Sequence, residues 1–410
     1  MTLINRGQRS TLGDWWYTVD HPTIGLMFGL LAFGLLVSLA ASPSVALAKD
    51  LPLFHFVERH LFFVCAAVVT IVAVSLMGRQ TIRRVALVGL LLALLLMAVA
   101  VVFGPEINGA RRWVRVGGFS LQPSEFAKPA LIVVTAALLA VGARGGRNAL
   151  LGFGALALIF AATVLLLILQ RDLGQTLLVT VVGAAMLVAG GVSLIWPAIA
   201  VGFASAVLAV AYRSLDYVRS RIDAFLSGEV ATGSQIAKAQ DSFLAGGWLG
   251  VGPGSGRIKT ELPDAHTDFI FAVVAEEYGA VAALALVLAF AYLTFRMFAL
   301  ATTQSEAAAR LAIVGLASLL ATQALINMGV NVGLVPAKGM TLPFISVGGS
   351  SLLATALLCG MVLGLGRRPI GEARSRPRPV SLGPTEADLT PVRADVDEFA
   401  NASDSGATVR

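Results

Sequence analysis

The sequence predicts an all-α polytopic integral membrane protein, with ten transmembrane helices and a large outer-face loop between helices seven and eight. Three observations carry this. Apolar residues make up 57% of the 410 residues and charged residues only 13%, against about 25% charged in an average soluble domain. Mean hydropathy is +0.82. The apolar residues also gather in continuous runs of about 20, the length that crosses about 30 Å of hydrocarbon. Continuous runs read as helices with internally paired backbones, and the lack of alternation excludes a β-barrel. So little charge cannot cover a water-facing surface, which excludes a soluble globular enzyme, a disordered chain and a nucleic-acid-binding domain.

Residues 1–22 are polar, include Trp15 and Trp16, and read as a cytoplasmic N-terminal segment. The run that follows is too long for a signal-peptide core, so it is expected to stay in place as the first span. The ten runs lie near 23–42, 58–78, 84–104, 124–142, 149–169, 174–190, 193–211, 267–295, 309–334 and 346–366, within a membrane domain spanning 23–369. Only Gly190 and Gly191 separate the sixth from the seventh. Arg79, Arg83, Arg84, Arg144, Arg147, Arg296, Arg310, Arg367 and Arg368 all fall on one side. Positive residues mark the cytoplasmic side, so both termini are expected there. Arg111, Arg112 and Arg115 break the pattern from the other side, between spans three and four.

The net charge of +6 divides unevenly: residues 371–410 hold five Arg and seven acidic residues, leaving +8 on the membrane part. That excess is an orientation signal and not a nucleic-acid patch. Residues 370–410, rich in Pro, Ser and acids, read as a disordered cytoplasmic tail. Cys65 and Cys359 lie in apolar runs and read as small core residues. The loop at 212–266 carries Tyr212, Leu215, Val218, Ile222 and Phe225 at helical spacing, with Arg213, Arg219 and Arg221 between them. That pattern predicts an amphipathic helix lying in the interface, followed by a Gly-rich tether at 245–256.

Ionisable groups in or near lipid are costly and are functional candidates by default. Three clusters stand out. Arg111-Arg112-Trp113 precedes Gln122-Pro123-Ser124-Glu125-Phe126-Ala127-Lys128, where Glu125 and Lys128 share a helix face and can pair. A capped helix with an interfacial ion pair explains the same residues about equally well. Pro263-Asp264-Ala265-His266-Thr267-Asp268 leads into span eight, with Glu276 and Glu277 two turns on. Thr267 or Asp268 could serve as a helix cap, but a cap does not explain two glutamates inside an apolar helix. Asn327, Asn331, Pro336, Lys338-Gly339-Met340 and Ser346-Val347-Gly348-Gly349-Ser350-Ser351 form the third. Its bland reading is a tight turn with small-residue helix packing. No P-loop, His-Glu-x-x-His or Cys/His cluster is present, so no metal site is expected.

These stretches closely resemble the SEDS family (shape, elongation, division and sporulation), most specifically in His266-Thr267-Asp268-Phe269-Ile270-Phe271 and Gly348-Gly349-Ser350-Ser351. The likeness spans about residues 20–370, and Lys338-Gly339-Met340-Thr341-Leu342-Pro343 looks more like the division branch than the elongation branch. The chain departs from the family's usual residues at Arg171, Val347 and Gly233-Ser234-Gln235. The resemblance implies a peptidoglycan glycosyltransferase that polymerises lipid II on the periplasmic face of the bacterial inner membrane, at the division septum. It implies Asp268 as the catalytic residue, and Trp113, Glu125, Lys128 and Arg221 as substrate-binding residues. Arg112, His266, Lys338 and Ser350 join them as candidates from the same clusters. Implied partners are lipid II and the growing strand on undecaprenyl diphosphate, a class B penicillin-binding protein transpeptidase, other division proteins and membrane lipid, with no nucleic acid. No cofactor is required by these residues, although a divalent cation accompanying the pyrophosphate is compatible with the chemistry. One carboxylate base suffices for transfer from a lipid pyrophosphate. The rival readings are a lipid II flippase and a division scaffold.

Overall fold

The computed structural model of the chain describes residues 11–48, 50–107, 109–117, 119–226, 234–262, 264–336 and 339–367. The expected disordered tail at 370–410 and candidate residue Lys338 lie outside the described residues. The polypeptide opens with α1 (Thr11–Thr18), α2 (His21–Ala48), α3 (His55–Ser75) and α4 (Arg79–Phe103). A two-stranded antiparallel hairpin follows, β1 (Val114–Val116) and β2 (Phe119–Leu121), with Arg115 opposite Ser120. Next come α5 (Pro123–Gly142), α6 (Gly146–Leu169), α7 (Leu173–Ala189), α8 (Ile195–Ser214), α9 (Asp216–Leu226) and α10 (Gln235–Gly246). A 3₁₀ turn (Ile258–Glu261) precedes α11 (Ile270–Thr302), α12 (Ala307–Asn331) and α13 (Gly349–Gly366).

Among the described residues, nine helices are long and apolar enough to cross a membrane, and α7, at 17 residues, is a shorter apolar helix. The break expected at the two glycines falls between α7 and α8, where Gly191 has φ +72°. α5, α12 and α13 are mostly buried, and α8 is mostly exposed. α13 packs along α3, and α5 packs against α4, α6 and α12. In lipid the apolar contrast between helices is absent, so close approach through small residues matters more. A Cβ on Gly360 would come within 2.6 Å of Val74 Cβ, which sets how closely α13 lies on α3.

Four details differ from the sequence reading. The amphipathic helix is shorter, because α8 continues to Ser214 and absorbs Tyr212 and Arg213. The N-cap of α11 is Phe269, so neither Thr267 nor Asp268 caps it. α11 is also not one regular helix. Gly279 sits at φ +80°, ψ 176°, outside helical geometry.

The Gly-rich stretch causes that break and is not a loose tether. Val251 and Gly252 donate backbone hydrogen bonds to the carbonyls of Glu276 and Glu277 at 3.0 and 3.1 Å. Ala280 and Val281 donate to the carbonyls of Gly247 and Trp248 at 2.9 and 3.2 Å. A Cβ on Gly279 would lie 2.3 Å from Trp248 O, so only glycine permits both the positive φ and this contact.

Candidate active site

Asp268 lies in the turn just ahead of α11, half-buried. Its backbone is fixed from α12. Asn327 Nδ2 and Asn331 Nδ2 donate to its carbonyl oxygen at 2.9 and 3.1 Å. Asn331 Oδ1 also accepts from Ala272 N at 3.0 Å, joining α12 to the first turn of α11. A second clamp comes from the connection between α12 and α13. Ser346 Oγ donates to Thr267 O at 2.6 Å, and Val347 N donates to His266 O at 2.9 Å. Leu342 N donates back to Ser346 Oγ at 2.7 Å. A Cβ on Gly339 would stand 3.4 Å from Asp268 Oδ2, so the carboxylate lies beside this connection. Phe344 is buried in it at φ +67°, a conformation that bulky residues hold only when the surroundings impose it.

The electrostatics suit a base. Burial pushes the Asp268 carboxyl up to about 7; Asp264 adds to the rise and Arg221, on α9, opposes it. Such a group is ionised near neutral pH yet binds a proton readily.

A polar chain enters the bundle nearby. Arg112 donates to the carbonyl of Arg171 at 2.7 Å and stands 3.7 Å from Asp172. Burial raises the Asp172 carboxyl above the usual carboxylate range, with Arg112 the largest opposing influence. Asp172 accepts from Gln175 N at 3.4 Å, capping α7. Gln175 Nε2 donates to Glu125 Oε1 at 2.8 Å. Glu125 pairs with Lys128 at 2.9 Å, and Lys128 Nζ donates to Gln323 Oε1 at 3.1 Å. Gln323 Nε2 donates to Thr341 O at 3.2 Å, which returns the chain to the connection that holds Asp268.

Glu276 and Glu277 do something else. The Glu276 carboxylate accepts from Arg257 N, Ile258 N and Lys259 N at 2.6, 2.8 and 3.1 Å, closing the start of the 3₁₀ turn. Lys259 Nζ ion-pairs with Glu277 and donates to Ala40 O at 2.8 Å, pinning that turn to α11 and α2. Glu276→Ala would orphan three amides, at about 1–3 kcal/mol for each one left buried and unsatisfied. The expected result is new proteolytic cleavage within 248–262 at a temperature where the wild type resists. An unchanged cleavage pattern would show that the carboxylate restrains nothing.

The fold thus brings Asp268, His266 and Ser350 near one connection. His266 packs on Phe56 with ring centroids 4.9 Å apart, and Ser350 lies in the first turn of α13. Arg221 acts on Asp268 through its charge. Arg112, Glu125 and Lys128 belong to the polar chain, and Trp113, half-buried, leads into β1. Beside Lys128 the free volume is about 10 Å³, room for roughly one water. The sequence reading missed Asp172, Gln175, Gln323 and Lys259. Gln175 and Gln323, polar residues in apolar runs, carried the available signal, whereas Lys259 lies in a polar stretch that carries none. Among the described residues no group of three metal-ligating side chains converges.

The geometry has close relatives. A family model described as "Cell cycle protein", FtsW/RodA/SpoVE, matches residues 22–368. The chain is 40% identical to the probable peptidoglycan glycosyltransferase FtsW of Caulobacter vibrioides, over 89% of this chain and 94% of the relative. It is 34% identical to the protein of the same name from Pseudomonas fluorescens, over 84% and 87%. A chain in a solved peptidoglycan synthase complex, which coordinates polymerization and crosslinking, superposes with a TM-score of 0.70 at 30% identity, covering 86% of this chain and 98% of that one. The rod shape determining protein RodA of Thermus thermophilus superposes with a TM-score of 0.64 at 26% identity, over 86% and 97%. Matching over nearly its whole membrane part, the chain belongs to the FtsW/RodA/SpoVE family.

Proposed function

We propose that the protein is a peptidoglycan glycosyltransferase of septal wall synthesis that polymerises lipid II, with Asp268 as the general base. The observation that carries this reading is one carboxylate, held by its backbone from two sides and poised near pH 7. Asp268 takes the proton of the acceptor sugar hydroxyl. The hydroxyl oxygen then bonds to the anomeric carbon of the donor, and the bond from that carbon to the lipid pyrophosphate breaks. A base without a covalent nucleophile gives inversion at that carbon. The leaving pyrophosphate needs countercharge more than a proton, and Arg221 on exposed α9 is suited to supply it.

Orientation follows the arginines: an inner-membrane protein with both termini cytoplasmic and Asp268 on the periplasmic face. The polar residues favour an enzyme over a flippase, because they gather at one set of helix ends. Glu125 and Lys128 lie in the first turns of α5, Gln175 in the first turn of α7, and Asp268 ahead of α11. The reading is tested by lipid II polymerisation with purified protein. Glycan strands from wild type and none from Asp268→Asn is the expected result, and equal synthesis by both would overturn it.

The partner in this reading is a class B penicillin-binding protein that cross-links the new strands. With the 245–262 segment docked on α11, the element assigned the response is α9, which carries Arg221 and is held to α8 by Tyr212 Oη donating to Asp223 Oδ1 at 2.7 Å. A partner favours a closed arrangement only by binding it more tightly. Tenfold activation needs about 1.4 kcal/mol of such preference. The pair is therefore expected to polymerise lipid II faster than the lone protein at saturating substrate. Equal rates would remove α9 closure as the control point.

A further inference from the structure

α12 is about 37 Å long by helix rise, and its two ends serve different chemistry. Its last turns hold Asp268. At its first turn, on the opposite end of the bundle, lies a cavity of about 290 Å³ between the ends of α4, α5 and α12. Arg83, Arg144 and Glu306 line its mouth, and Ala137, Ala140 and Val141 form an apolar wall. The charges are unbalanced. Glu306 is bonded to Arg83 and stands 3.8 Å from Arg79, so two guanidiniums already share one carboxylate. Arg144 is exposed and makes no side-chain hydrogen bond or ion pair with the described residues.

We propose that this cavity binds the phosphodiester headgroup of an anionic phospholipid. The volume is near the lower end of small-molecule sites, and basic pockets between helix ends at this level of a bilayer suit anionic headgroups. Guanidinium forks match phosphate oxygens. The alanine and valine wall takes the glycerol and the start of the acyl chains. A free phosphate offers the same charge but has no use for the wall.

The test uses the full-length protein in detergent, supplied with phosphatidylglycerol or phosphatidylcholine, with retained lipid counted by native mass spectrometry. Wild type is expected to retain phosphatidylglycerol in preference to phosphatidylcholine. Arg144→Ala should cut that retention at least fivefold. Arg147→Ala, on the same side but outside the cavity lining, should leave it unchanged. Glu306→Gln should raise it by removing the competing carboxylate, and serves as a second variant. Excess inorganic phosphate should fail to displace the lipid. Equal losses in Arg144→Ala and Arg147→Ala would reduce the effect to general attraction by a basic face and overturn the site. Displacement by inorganic phosphate alone would overturn the lipid assignment.

Discussion

Asp268→Asn is expected to abolish lipid II polymerisation while leaving the protein folded. Its backbone carbonyl is held by Asn327 and Asn331, and those bonds do not depend on the side chain. The carboxylate itself is disfavoured by burial, which is why it titrates near 7. The sign for stability follows. A carboxyl whose folded pKa lies above its unfolded value binds protons more readily in the folded state. Its contribution to stability is greatest below the unfolded pKa and is lost as pH rises through about 7. Asparagine never ionises, so the variant should melt at or above the wild-type temperature at alkaline pH. Activity has the opposite dependence. The base works only when deprotonated, so the wild-type rate should climb as pH rises through about 7 and level off above it. General acid–base catalysis is worth about 10²–10⁴-fold, so residual synthesis below one part in a hundred is the expected reading. A well-folded Asp268→Asn protein that polymerises normally, or a wild-type rate flat between pH 6 and 8 (about one unit either side of the titration point), would exclude Asp268 as the base.

The spans were legible because hydrocarbon thickness imposes a length that few other constraints mimic. Even the weak split at Gly190 and Gly191 marked a true chain break. Asp268 was legible through its motif, but the means of holding it was not. Asn327 and Asn331 stood out as polar residues in an apolar run, yet nothing local shows that they reach the backbone of a residue about 60 positions away. Glu276 was misread for a geometric reason. Counting it as two turns on from Asp268 assumes a helix between them, whereas α11 begins only at Ile270. Its partners are amides 17 to 19 residues earlier in the chain. The hairpin of β1 and β2 was missed because three-residue strands carry too little alternation to register. Arg112, which broke the expected arginine pattern, is explained by Asp172, which the sequence reading passed over.

Glu125 and Lys128 should yield the second-largest effects, and the two residues should fail differently apart than together. Both are nearly dry, at 5% and 4% exposure, with the ion pair at 2.9 Å. Removing one charge strands the other where water cannot compensate, at a cost of about 3–5 kcal/mol. Lys128→Met leaves the Glu125 carboxylate with the Gln175 amide and no counter-charge, and Glu125→Gln leaves the Lys128 ammonium with neutral amide oxygens and no counter-charge. Each single variant should therefore melt well below wild type. The double variant removes both charges and should recover much of that loss, because contacting residues are not additive. Activity should not recover with it. Gln323 joins Lys128 to the carbonyl of Thr341, and Asn327 bonds both Met340 O at 2.5 Å and Asp268 O. The pair thus orients the connection that carries Gly339 past the Asp268 carboxylate, and methionine and glutamine do not reproduce that. Melting temperatures in detergent and polymerisation rates at saturating lipid II separate the two effects. Single variants that melt and polymerise like wild type would show the pair to be inert. A double variant that regains stability and rate together would reduce it to a packing element with no hold on the site.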